Sequence, residues 1–172
     1  MITAELLNMS DPFRQAADQL IDTFPCTVEP EILADYGLML TEPQRQDVHW
    51  MMVVLWLYWV NCGLRVSVPK EPANEIERII SYRVEDFKKS HGGWAHDEDV
   101  HAMVERLHTQ WDHITKSGNE PIAVLSHAVS VLEDRGTIKE RERHQVLAFF
   151  LDYVAIEEIG SVLIAIEAQF AI

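Results

Sequence analysis

Trp50 to Val60 is a run of eleven apolar residues without a polar interruption, closed by His49 on one side and by Asn61 and Arg65 on the other. A helix that crosses a bilayer needs about 18 or more such residues. The run is therefore too short to span a membrane, and a helix apolar on every side that stays in water has to be enclosed by other elements. Residues 146–166 have the same character, so the chain must supply amphipathic cover for two such stretches.

That cover is legible as helical periodicity. Asp11-Pro12 places a capping residue before a first-turn proline, and Phe13, Ala16, Ala17, Leu20, Ile21 and Phe24 recur at helical spacing behind it. Pro30 opens a short second helix through Ile32, Leu33, Tyr36 and Leu40. Thr41-Glu42-Pro43-Gln44 is a capping-box arrangement for a third, which carries the apolar run and is expected to stop at Gly63. Leu64 to Pro69 alternates, which predicts a brief extended segment and a loop to Pro72. Asn74 with Glu77 starts the fourth helix, with Ile76, Ile79, Ile80, Val84 and Phe87 inward. A fifth is expected from Asp97 to Ile114 and a sixth from Pro121 to Gly136. Thr137 with Glu140 caps a seventh that continues, kinked near Gly160, almost to the C-terminus.

The expected fold is all-α: a compact bundle of about seven helices in a single helical domain spanning 1–172, with two largely buried central helices, 48–60 and 146–166. Trp56, Trp59, Val60, Leu147, Phe150 and Val154 should lie in its middle.

Charge narrows the function. With 28 acidic against 14 basic residues the formal net charge is -14, which disfavours nucleic acid as a partner. Residues 1–60 hold nine acids but only Arg14 and Arg45, a local net of -7. Cys26 and Cys62 fit neither a disulfide framework nor a zinc clip and suit a reducing compartment. Met1 to Ser10 lacks the basic and apolar regions of a secretory signal, so a cytoplasmic location is expected.

The first helix carries the feature that folding explains least. Asp11, Gln15, Asp18 and Asp22 fall within about 40° of one line, opposite Phe13, Ala17 and Leu20. Glu29, Glu31 and Asp35 follow closely and are candidates to extend this partner-binding set. The leading expectation is a non-enzymatic acidic protein that docks a basic protein partner, without catalytic residues, metal or cofactor. Its class character is similar to that of toxin-neutralising immunity proteins and nucleic-acid mimics.

Two other readings attach to specific residues. His96, Asp97, His101, Glu105 and His108 form a dense run of metal-ligand types, and Glu98–His101 and Glu105–His108 both have the Glu-x-x-His spacing of di-iron bundles. Both copies lie on one helix, whereas such sites draw them from two. The stripe of His101, Glu105, His108 and Asp112 is expected to face solvent, about 120° from the apolar face. His96-Asp97 resembles the adjacent pair of HD-domain metal phosphohydrolases, which implies a metal-dependent hydrolase with further ligands such as His49, His127 and Asp152, although the apolar helix that usually precedes the pair is missing. The aromatic helix around Trp50, Met51, Met52, Trp56, Tyr58 and Trp59 supports the other reading, a homo-oligomeric binder of a small apolar ligand. Ile159, Val162, Leu163 and Ile166 make one apolar face at helical spacing, the expected contact of a homodimer.

Overall fold

A computed structural model describes residues 11–25, 27–90, 100–118 and 121–171, leaving aside the side chains of 100, 101 and 103. Among them the chain is all-α. The helices are α1 (Pro12–Ile21), α2 (Pro30–Asp35), α3 (Glu42–Ser67), α4 (Lys70–Ser90), α5 (Val100–Lys116), α6 (Pro121–Asp134), α7 (Arg143–Tyr153) and α8 (Ile156–Phe170), with a 3-10 turn at Glu140–Glu142. No helix among the described residues is long and apolar enough to cross a membrane. The helices sort into two compact units.

One unit holds α1, the C-terminal end of α3, α4 and α8. α1 begins where the sequence places it: the Phe13 amide donates to the Asp11 carboxylate at 3.0 Å, and Pro12 takes a position whose N–H would have no helical partner. Its small inner face, Ala16, Ala17 and Leu20, is buried, and it packs on α4 and α8. Phe13 stacks on Phe170 of α8 at 5.6 Å, and Arg83 of α4 reaches Asp18 at 2.8 Å.

α3 and α4 correct the expected boundaries. Gly63 does not end α3, which continues to Ser67, so the expected extended segment at 64–69 is largely helix. A Cβ on Gly63 would run into the Leu163 side chain of α8. The glycine is there for a close helix crossing, not for a turn. α4 starts at Lys70 instead of Asn74 because Pro72 fits in a first turn, where amides need no helical acceptor. The Ala73 amide then donates to Pro69 O at 3.0 Å.

The other unit holds α2, most of α3, α5, α6 and α7, with α6 packed on α5 and α7. Gln44 Oε1 accepts from the Thr41 amide at 2.8 Å, opening α3 as the capping pattern predicts. α6 ends in a Schellman turn: Gly136 takes φ +75, its amide donates to Glu133 O, and the Thr137 amide donates to Leu132 O. Thr137 is therefore a helix-ending residue and not the cap of a seventh helix. It is buried, its hydroxyl donates to Asp47 at 2.9 Å, and its carbonyl accepts from Gln44 at 3.0 Å. The next start is capped by Glu142, whose carboxylate accepts from the Lys139 amide at 2.8 Å.

The expected C-terminal helix is two helices, broken at Val154–Ala155 and not at Gly160. Val154 leaves helical geometry with ψ 110. Of the residues expected in the middle, Trp56, Val60, Phe150 and Val154 are buried, and Trp59 and Leu147 are half-buried.

Candidate functional site

The four positions of the α1 ridge, Asp11, Gln15, Asp18 and Asp22, are all exposed, opposite the buried Ala17 and Leu20. Two of its carboxylates have structural work. Asp11 caps the helix, and Asp18 holds the Arg83 guanidinium. Asp22 is the C-cap residue, and the last turn contains no basic side chain to offset it. An acid beside the negative end of a helix dipole loses about 0.3–1 kcal/mol.

Glu29, Glu31 and Asp35 belong to the other unit and are likewise exposed. Glu29 is the N-cap residue of α2 and accepts from the Thr27 hydroxyl at 3.1 Å; Glu31 lies in the first turn, where an acid suits the dipole. Asp35 ends the helix. Its neighbour Tyr36 donates to Asp152 at 2.5 Å and packs edge-on against Phe149 and Tyr153. That bond to a carboxylate pushes the Tyr36 phenol up to about 12.

The metal-type residues do not come together where they are described. His96 and Asp97, and the side chain of His101, lie outside the described residues. Glu105 is exposed, as expected, but His108 is not. Its Nε2 lies 3.2 Å from Val54 O, and its ring packs edge-on against Tyr58 at 5.3 Å. Tyr58 of α3 lies alongside α5 and widens the covered arc beyond the apolar residues of α5 itself. His49, His127 and Asp152 each serve a different partner: His49 Nε2 lies 3.2 Å from Pro25 O, His127 Nδ1 accepts from Trp111 Nε1 at 3.0 Å, and Asp152 accepts from Tyr36. Among the described residues no three His, Cys, Asp or Glu side chains are placed to hold a metal ion.

The aromatic helix is packed in the core, with Trp50, Met51, Met52, Trp56 and Tyr58 all buried. The face put forward for a second copy is covered as well. Ile159, Leu163 and Ile166 are buried within the chain and Val162 is half-buried. α8 faces inward on that side because α1 packs against it. On its outer side α8 exposes the large apolar side chain of Ile164, at 70%, with Ala165 and Ala168.

One feature is not apparent from the sequence alone. Ser126 and Val129 of α6, Glu140 and Arg141 of the 3-10 turn, and Arg143, His144 and Leu147 of α7 line a groove of about 560 Å3. Its signal was the run Lys-Glu-Arg-Glu-Arg-His at 139–144 in an otherwise acidic chain, which reads as a solvated alternating-charge surface until α6 is known to lie opposite. Comparison with known proteins finds no matching family model, no similar curated protein and no similar solved structure.

Proposed function

We propose that this is a non-enzymatic binding protein that docks a basic protein partner through the carboxylates of α1, in the manner of immunity proteins and nucleic-acid-mimicking inhibitors. The observation that carries the reading is the division of one helix: a buried face of Ala16, Ala17 and Leu20, and an exposed ridge of Asp11, Gln15, Asp18 and Asp22. Asp22 keeps a negative charge where helix stability alone favours a positive one. The net charge of -14 would steer a basic partner towards the chain and raise the association rate. The Arg83 guanidinium on Asp18, at 2.8 Å, is the kind of contact such a partner would multiply. Glu29, Glu31 and Asp35 on α2 offer a second set of exposed carboxylates of the same use.

The test is capture from the native cell extract with wild-type protein and with the Asp18→Asn/Asp22→Asn double variant. A basic protein retained at low salt, released at high salt and bound with an association rate about tenfold or more slower by the folded variant supports the proposal. Capture that is indifferent to salt and to both substitutions overturns it.

A further inference from the structure

We infer that the groove between α6 and the start of α7 is a binding site for a small organic anion carried on an apolar body. After residue 116 the chain has four Lys or Arg residues, Arg135, Lys139, Arg141 and Arg143. Two of them, with His144, line this one groove. Arg143 is preorganised: its Nε lies 3.0 Å from Glu133 of α6 and its Nη2 donates to Ser130 at 2.8 Å. Two of its five N–H donors are used in this way, and three remain for a ligand at little further loss of side-chain freedom. The Arg141 guanidinium and the His144 ring are exposed and make no hydrogen bond or ion pair with the described residues.

Val129 and Leu147 give the groove an apolar floor, and its volume of about 560 Å3 lies within the range of small-ligand sites. Glu140 in the lining and Glu133 behind Arg143 formally balance the two guanidinium charges, so an anion would be held by the free N–H donors of Arg141 and Arg143 and not by a net positive charge. The site therefore suits a single negative charge, recognised by the geometry of its N–H donors, with an apolar chain laid on Val129 and Leu147. Nothing in this assignment depends on the carboxylates of α1.

Titration of the full chain followed by amide NMR shifts tests it with three probes: octanoate, its uncharged counterpart octanamide, and inorganic phosphate. Octanoate should shift the amides of Ser126, Val129 and residues 140–147, and octanamide and phosphate should each bind roughly tenfold or more weakly, since one lacks the charge and the other the apolar body. Arg141→Ala should weaken octanoate by roughly tenfold and Arg141→Glu should abolish binding. Arg141 is exposed and makes no side-chain contact of this kind, so these variants keep the fold. Arg106→Glu, the same charge change on the exposed face of α5, should leave octanoate affinity unchanged. Any of four results overturns the inference: no shifts in the groove, equal binding of octanoate and octanamide, phosphate bound as tightly as octanoate, or octanoate affinity indifferent to Arg141→Ala.

Discussion

Residues 48–60 and 146–166 have nearly the same apolar character in sequence, yet the first lies inside an unbroken helix of 26 residues and the second divides between α7 and α8. No residue from 48 to 60 is exposed, whereas Leu151 is 50% and Ile164 70% exposed. The difference lies in a few charges. Asp152, Glu157 and Glu158 interrupt the second stretch, and a carboxylate there has to reach water or a donor, as Asp152 does with Tyr36. A count of apolar residues measures how much surface must be hidden. Where the carboxylates fall decides which side of the helix stays outside.

The largest effect expected from this comparison separates Trp56 from Leu151. Trp56→Ala removes a fully buried indole and should lower unfolding free energy by about 3–5 kcal/mol, against about 0.5 kcal/mol or less for the exposed Leu151→Ala. Urea denaturation of both variants measures it, and similar losses would mean that the two stretches are covered alike. Within α8 the same contrast recurs on one helix. Ile166→Ala should lose about 2–5 kcal/mol and Ile164→Ala about 0.5 kcal/mol or less. A dimer held together through the 159–166 face would instead make the effect of Ile166→Ala depend on protein concentration.

Two helical glycines should respond with opposite signs. Gly63→Ala gains helix propensity but forces Leu163 aside, and overpacking of that kind costs about 1–3 kcal/mol, so a net loss is expected. A Cβ on Gly160 meets nothing, so Gly160→Ala should stabilise by up to about 1 kcal/mol. Thermal melts of the pair decide between them, and a stabilising Gly63→Ala would show that the two helices do not cross closely there.

The smallest effect belongs to the polar break itself. Because the Tyr36 phenol is pushed up to about 12 from 10.0 by Asp152, the folded chain holds its proton more tightly than the unfolded chain. The corresponding stability is fully present below the unfolded value and is lost as pH rises from about 10 towards about 12. Ultraviolet titration should find a late tyrosine step, and Tyr36→Phe should remove that step together with its share of the alkaline loss. Retention of the late step in the variant would assign it to another tyrosine.

Local chemistry accounts for what could be read in advance. The helix starts at Asp11-Pro12 and Thr41–Gln44 and the stop at Gly136 depend on hydrogen bonds between residues two to five apart, and each appears in the fold. Thr137 resembles a cap in sequence because its threonine-x-x-glutamate spacing imitates one, while its partners, Gln44 and Asp47, lie about ninety residues away. The acidic ridge of α1 was legible as a face, since its angular spacing follows from helical geometry. That Arg83 would occupy Asp18 was not, because the pairing exists only once α4 packs on α1.

Sequence by itself determined the helical class, the two stretches that demand cover and the side of α1 that carries its carboxylates, because periodicity and charge are properties of neighbours along the chain. Tertiary structure alone decided that Gly63 admits Leu163, that His108 turns onto the Val54 carbonyl and that Arg141, Arg143 and His144 share a groove with α6. Each of those depends on which side chain from a distant segment lies opposite. Packing selects that neighbour from the shapes and burial requirements of whole helices, and no local pattern encodes it.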